Sequence, residues 1–380
     1  MKTSKYTVSG GEKIDATIEA HMKTLVSETL NVAGADTLSA IVLGGGYGRG
    51  EGGVKIRDGE QCLFNDYDVF LISNGINGGM KKAFNARFRD LATRLSAQFG
   101  IEVDFSPLKN SSELRSLEYE MVWFEAKQGH IVLWGDPCVF DAIPEWNVKD
   151  MPLPEAARLL MNRGMGILLS KRRLASGDTS EEAMEFVERN AWKATMAAGD
   201  SFLILRGIYD SSYVKRKENF KAFSSDEELT RCGLFEYYLK SIEYKLSPPE
   251  HPLGRTEAEA LLVKSSDFLL KAYLPIASRI SGHETSFREM AETPPDLSLS
   301  HGFKSILKNV VLNTMKFGAS YRNGSIFKHP RSRIFAAIPH FLGAKGADER
   351  QACLLLGIEP ANPHPDTKFE RLKKLWERFS

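Results

Sequence analysis

The chain has 380 residues, of which 42% are hydrophobic and 26% charged, as in a globular protein with a substantial core. Lys and Arg number 50 against 49 Asp and Glu, and a net charge of +1 disfavours a protein that coats nucleic acid. The four cysteines lie far apart without a Cys-x-x-Cys pair, which argues against a disulfide framework or a zinc site.

Neither a targeting signal nor a membrane segment is evident in the sequence. The first 20 residues lack the apolar core of a signal peptide, and no stretch approaches the roughly 18 uninterrupted apolar residues of a membrane span. We therefore expect a cytoplasmic protein with no membrane partner.

Helices and strands alternate in the first third of the chain. Apolar residues recur at helical spacing in residues 11–32 and 80–99, and this spacing predicts two helices. Short apolar runs predict four strands, at residues 38–43, 67–72, 101–105 and 130–134.

Prolines between residues 144 and 154 mark a change to helical patterns. The predicted helices of this second part are residues 155–173, 180–208, 226–246, 255–281, 301–317 and 350–357. The sequence thus predicts an α+β fold, with a small mixed-sheet domain at residues 1–145 and an all-α domain at residues 146–380.

A glycine-rich stretch, Gly44 to Gly52, directly follows the first predicted strand. Glycines let the backbone come close to a ligand, and successive free N–H groups form a concavity that attracts phosphates. The pattern Gly48-x-Gly50-x-x-Gly53 also matches a dinucleotide-binding motif, but the helix that this motif requires is not predicted at residues 54–60.

Three aspartates are predicted at the ends of neighbouring strands. Asp66 and Asp68 are two residues apart in a strand, so both carboxylates point to one face. Asp104 lies within the next predicted strand, where an unpaired carboxylate is costly to bury. Together they would suit two Mg²⁺ ions held about 3.5–4 Å apart, and Asp104 would help to deprotonate an acceptor hydroxyl.

The glycine turn and the three aspartates together resemble the DNA polymerase β-like nucleotidyltransferase superfamily. The stretch from Gly45 to Glu51 is similar to the Gly-Ser-x-Ala-Arg-Gly-Glu form of small bacterial members, with Gly46 in place of the serine. Nineteen residues separate Gly46 from Asp66, which is longer than the family's usual connection, and residues 54–64 predict an inserted hairpin. The specific motifs cover residues 38–107.

The resemblance implies a role for each matching residue. Asp66, Asp68 and Asp104 would be the catalytic metal ligands, with Mg²⁺ as the expected ion, two ions as the expected number, and Mn²⁺ as an alternative. The residues expected to bind the nucleotide are Gly45, Gly46, Tyr47, Arg49, Lys193 and Arg216. For Lys193 and Arg216, a surface charge or a structural ion pair is the better interpretation.

The predicted function is transfer of a nucleoside monophosphate, with ATP as the default donor, to a hydroxyl on a small molecule or a protein, with release of pyrophosphate. Two alternatives stay open. An RNA-end nucleotidyltransferase would need a basic stripe on the helical half. A non-catalytic nucleotide-binding module, such as a toxin-neutralising partner, would need no intact set of acids.

Overall fold

The computed structural model describes residues 4–318, 325–358 and 364–379. The protein is a mixed α+β protein, 62% helical with a small mixed sheet. The strands are β1 (Leu38–Leu43), β2 (Gly53–Arg57), β3 (Glu60–Phe64), β4 (Asp66–Ser73), β5 (Glu102–Phe105), β6 (Lys109–Asn110) and β7 (Ile131–Gly135).

Helices follow one another through most of the chain after β7. The helices are α1 (Glu12–Ala33), α2 (Gly45–Gly48), α3 (Gly78–Phe99), α4 (Ser111–Leu114), α5 (Met121–Gln128), α6 (Leu153–Ala175), α7 (Glu181–Leu205), α8 (Tyr213–Lys221), α9 (Glu227–Cys232), α10 (Leu234–Leu246), α11 (Arg255–Ser281), α12 (Phe287–Glu292), α13 (Phe303–Phe317), α14 (Pro330–Leu342), α15 (Glu349–Leu355) and α16 (Pro365–Phe379).

The chain divides into two compact units. The first consists of Met1–Asn147, Asp210–Glu218 and Ile242–His251, and the second of Val148–Tyr209, Asn219–Ser241 and Pro252–Ser380. The segments 210–218 and 242–251 lie within the range predicted to form the helical domain. The domain boundary at residues 145 and 146 stays a prediction.

The first unit is built on a five-stranded sheet, in which four strands follow the order β5-β4-β1-β7 and the fifth, β6, pairs with β4. Strand β1 runs antiparallel to both β4 and β7, while β5 and β6 run parallel to β4. Strands β2 and β3 form a separate antiparallel hairpin, as predicted for residues 54–64. The predicted strands thus become β1, β4, β5 and β7, with ends within one or two residues.

Alternating residues of β4 supply two different cores, because successive side chains of a strand point to opposite faces. Tyr67, Val69 and Leu71 pack in a cluster with apolar residues of α1 and α3. Phe70 and Ile72 pack in a second cluster with residues of α5 and the turn that follows β7. Each face of the sheet is therefore covered along the middle of β4.

The second unit has α7 packed against both α6 and α11, while α14 packs against α6, α12, α15 and α16. The single helix predicted at residues 226–246 is wrong. Gly233 has a left-handed φ of 81° and ends α9, so that α10 starts afresh at Leu234. Helices α12, α14 and α16 were not predicted from the sequence.

Helix α13 of the second unit buries polar residues and exposes apolar ones. Asn309 and Asn313 are buried, and the Asn313 amide donates to the carbonyls of Ile326 and Lys328 at 3.1 and 2.9 Å. On the opposite face, four apolar side chains at intervals of four residues are 49% to 80% exposed: Phe303, Leu307, Val311 and Met315. Hydrogen bonds of asparagines, rather than apolar burial, thus fix the rotation of this helix.

None of the helices within the described residues has the length and apolar content that crossing a bilayer would require.

Candidate functional site

The pairing of β4 with β5 brings the predicted acids together in the first unit. In this parallel ladder Asp68 is the direct partner of Asp104, and Asp66 is the partner of Glu102. Directly paired residues of neighbouring strands point to the same face of a sheet. The three predicted aspartates therefore share one face, and Glu102 joins them there.

This acidic face continues the face of β4 that carries Phe70 and Ile72. Those two side chains lie in the apolar cluster under α5, whereas Asp66 and Asp68 precede them at the start of the strand, beyond that cluster. Asp104 is exposed, and Asp66 and Asp68 are half-buried. The carboxylates are thus held by a rigid strand yet stay open to a ligand.

The glycine turn touches the carboxylates directly. The Gly44 N–H donates to the Asp68 carbonyl at 2.8 Å, and Gly45 adopts a left-handed φ of 58°. A Cβ on Gly45 would overlap the Asp68 carboxylate. Only glycine therefore fits here, both for its backbone conformation and for the space that the acid occupies.

Burial and neighbouring acids raise the pKa values of two of these aspartates. The pKa of Asp68 is raised to about 7, first by burial and then by the charges of Asp66 and Asp104, while Lys245 and Arg49 oppose the shift. Partial desolvation, followed by the charges of Asp66 and Glu102, raises the pKa of Asp104. Nearby acids raise each other's pKa because a second negative charge is unfavourable where solvation is reduced. The face therefore favours a bound cation.

Three cations lie around the ring of Tyr213 in the same unit. The guanidinium carbons of Arg216 and Arg49 are 4.4 and 5.4 Å from the ring centroid, and Lys245 Nζ is 5.7 Å away. Lys245 Nζ is also 3.9 Å from Asp66 Oδ1. A positively charged group, which would attract phosphates, therefore lies next to the Asp66 carboxylate.

Two glutamates hold this cationic group in position. Glu125 lies 3.4 Å from Arg49 Nη1 and 3.5 Å from Arg216 Nη2. Glu51, at the end of the glycine-rich stretch, accepts hydrogen bonds from the Ser212 hydroxyl at 2.6 Å and the Tyr213 N–H at 2.8 Å. The turn that reaches Asp68 thus also anchors the segment that carries Tyr213 and Arg216.

The remaining predicted nucleotide ligands have different positions. Gly46 lies in the first turn of α2, and a Cβ added to it would lie 3.1 Å from the Glu51 carbonyl oxygen. The Tyr47 side chain is buried and its hydroxyl bonds to the backbone of Gly53 and Phe64, which leaves only its main chain for a ligand. Lys193 lies on α7 of the second unit and is not among the side chains that the first unit brings together.

Lys245, Tyr213 and Glu125 were not predicted as part of this site. Lys245 lies 179 residues after Asp66 in the chain and shows no local motif, so only tertiary structure brings it to the acid. Glu51 belongs to the stretch that carries the family resemblance, but its capping role needs the segment 210–218. Arg216, by contrast, was among the predicted nucleotide ligands.

The acidic face offers Mg²⁺ a partial set of oxygen ligands. In the part of the chain that the structure describes, no group of three or more His, Cys, Asp or Glu side chains is arranged to hold a metal ion. Mg²⁺ usually takes one or two carboxylates and completes its shell with water and phosphate oxygens. Asp66 and Asp104 lie on the same face as Asp68 and raise its pKa, so this face offers Mg²⁺ carboxylate oxygens without forming a complete set of ligands.

Comparison with known proteins yields no match to any protein-family model, any curated protein or any solved structure.

Proposed function

We propose that the chain is a magnesium-dependent nucleotidyltransferase that transfers a nucleoside monophosphate from a nucleoside triphosphate, ATP by default, to an acceptor hydroxyl. The observation that carries this proposal is the register of β4 and β5, which pairs Asp68 with Asp104 on the face of Asp66 and beside the Gly45 turn. If these aspartates only formed a solvated turn or a structural ion pair, they would not need to share one face beside a glycine turn.

In this proposal, the protein's own groups bind and orient the triphosphate. Asp66, Asp68 and Asp104 would hold Mg²⁺, which supplies positive charge to the phosphates. The backbone of the turn at Gly45 and Gly46 would bind phosphate oxygens through its N–H groups. Charges fixed in advance around the reacting phosphate stabilise the transition state without reorganisation during the reaction.

The three cations around Tyr213 have two different functions in this proposal. Lys245 has an ammonium group within reach of Asp66, so its flexible side chain is suited to shift from this carboxylate to a phosphate oxygen. Arg49 and Arg216 are buried against Glu125, and they contribute positive field and rigidity more than direct contacts. Lys193 stays a predicted ligand from the second unit.

The chemical step is an in-line displacement. The acceptor oxygen forms a bond to the α-phosphorus as the bond from this phosphorus to the bridging oxygen breaks, and pyrophosphate leaves with the electron pair. The acceptor proton passes to Asp104, whose raised pKa makes it a better base than an ordinary aspartate.

The test compares ATP labelled at the α-phosphate with ATP labelled at the γ-phosphate, each incubated with the protein, Mg²⁺ and cell extract. We expect transfer of the α-label alone, and loss of at least about a hundredfold in Asp66→Asn/Asp68→Asn. Asp90→Asn, an exposed acid on α3, is the matched control and should retain full transfer. Equal transfer by wild type and the double variant would end the catalytic assignment.

The same experiment separates the alternatives. Label on RNA would favour an RNA-end transferase over a small-molecule or protein acceptor. Stabilisation of the protein by Mg²⁺ and ATP without any transfer would favour a binding module, and no stabilisation by either would remove the nucleotide from the proposal.

A further inference from the structure

The helical second unit contains a cavity of about 540 Å³, a volume within the range of small-molecule sites, roughly 300–1,000 Å³. Helix α7 forms one long wall of the cavity and helix α11 forms the other. The apolar residues of these walls are Ala198, Phe202 and Leu205 on α7, and Phe268, Ala272 and Pro275 on α11.

The third wall is the junction between α9 and α10, which contributes Leu229, Cys232 and Leu234. Gly233, with its left-handed φ, turns the chain at this point. The break between the two helices thus creates a concave surface that a continuous helix over residues 226–246 would not provide.

The charged residues of the lining all have the same sign. Arg206, Lys271 and Arg279 line the cavity, and no Asp or Glu does so among the described residues. Arg206 lies 3.7 Å from Asp226, and Lys271 lies 2.8 Å from Asp267. Arg279 forms no ion pair with any residue that the structure describes, so its guanidinium retains its capacity for a carboxylate.

Arg206 also has a fixed position. Its guanidinium carbon lies 4.1 Å from the centroid of the Phe202 ring and 5.1 Å from that of Phe223. Stacking on two rings favours a position of the charge at the edge of the apolar wall, where the side chain is 41% exposed. The cavity therefore combines an apolar body with cations at its margin.

A proline supplies one more polar group. Pro275 lies within α11 and has no N–H, so the carbonyl of Lys271 lacks its usual helical donor. Both residues line the cavity.

We propose that this cavity is a binding site for a small amphiphilic carboxylate, that is, a molecule with an alkyl or aryl body and one anionic head. The body lies between α7 and α11, and the carboxylate is bound by Arg279 with Arg206 nearby. The site lies wholly within the second unit and does not depend on the nucleotidyltransferase assignment.

The test uses decanoate and decyltrimethylammonium below their critical micelle concentrations and decanol below its solubility limit. Binding is measured by titration calorimetry and by the shift in melting temperature. We expect decanoate to bind and to raise the melting temperature, decanol to bind about tenfold more weakly, and the cationic probe to show no binding. Equal binding of all three probes, or binding of none, would overturn the proposal.

Two variants separate the body from the head of the ligand. Ala272→Phe fills the cavity and should abolish decanoate binding, whereas Val263→Phe, at a 67% exposed position on the same helix, should leave it unchanged. Arg279→Gln should weaken decanoate about tenfold without changing decanol. Arg279 is exposed, so this variant decides the question even where Ala272→Phe does not fold; undiminished decanoate binding in Arg279→Gln would refute the proposed head contact.

Discussion

Gly45 joins the glycine turn to the carboxylates, and its substitution tests this contact. Gly45→Ala adds a Cβ that overlaps the Asp68 carboxylate at a left-handed φ, so we expect it to lower the free energy of unfolding by about 2–4 kcal/mol. It should also abolish stabilisation by Mg²⁺ and ATP. Urea unfolding with and without the nucleotide measures both effects.

Gly59 provides the control, since its φ is 76° but no atom lies within 4 Å of an added Cβ. Gly59→Ala should lose only the conformational part, about 1 kcal/mol, and should respond normally to Mg²⁺ and ATP. A Gly45→Ala protein as stable as Gly59→Ala would contradict the close approach of the turn to Asp68.

His329 is expected to make stability depend on pH. Its Nδ1 accepts a hydrogen bond from the Arg331 N–H at the start of α14, and this requires an unprotonated nitrogen. Burial, followed by the charges of Arg331 and other cations, lowers the pKa of His329 to about 4. Because the folded pKa lies below the unfolded value, the contribution is present above pH 6.5 and is lost as the pH falls towards 4.

The measurement is urea unfolding between pH 7 and pH 4. His329→Asn keeps a capping acceptor but cannot be protonated, so it should lose about 2 kcal/mol less than wild type over this interval. His283→Asn, at an exposed histidine, should follow the wild-type curve. Parallel curves for wild type and His329→Asn would show that this imidazole does not control acid stability.

At the scale of elements, Glu51 is the group that connects the glycine-rich stretch to the start of α8. We expect Glu51→Gln to lower the free energy of unfolding by about 1 kcal/mol, because a neutral amide is a weaker cap than a carboxylate. Amide hydrogen exchange in residues 212–218 should become faster. Glu60→Gln, at an exposed glutamate, is the control and should leave the exchange rates of residues 212–218 unchanged. Unchanged exchange in Glu51→Gln would show that the cap is unimportant.

Elements with strong local patterns were predictable from the sequence, and their partners were not. The apolar run of β1 and the helical spacing of α3 predicted their bounds closely, because each element buries a regular face. The break at Gly233 was missed because apolar residues keep helical spacing on both sides of it. In α13 the periodicity predicted a helix, but burial of Asn309 and Asn313 depends on distant carbonyls.

The candidate site shows the same division. The strand pattern was enough to group Asp66, Asp68 and Asp104. Residues two apart in a strand point to the same face, and β4 and β5 are neighbouring strands. Lys245 and Tyr213 could not be grouped with them, since their positions follow from packing between segments far apart in the chain. Sequence thus predicted the acids and missed the lysine beside them.

On the scale of the whole molecule, the first unit is not a continuous stretch of chain. A chain that ends after Asn147 lacks Tyr213, Arg216 and Lys245, and it leaves Glu51 and Glu125 without the groups that they hold. We expect this shortened chain to show no stabilisation by Mg²⁺ and ATP and a lower, less cooperative melting transition than the full chain. Equal behaviour of both in calorimetry would mean that the returning segments are dispensable.

The return of residues 242–251 to the first unit also has a consequence for synthesis on the ribosome. The strands of the sheet emerge early, but residues 242–251, the last segment of the first unit, leave the exit tunnel about a hundred residues later. At about 5–20 residues per second, the nascent chain waits roughly 5–20 s with its acidic edge incomplete. During this delay the carboxylates lack the charge of Lys245, so we expect slower translation between residues 148 and 251 to lower the yield of folded protein.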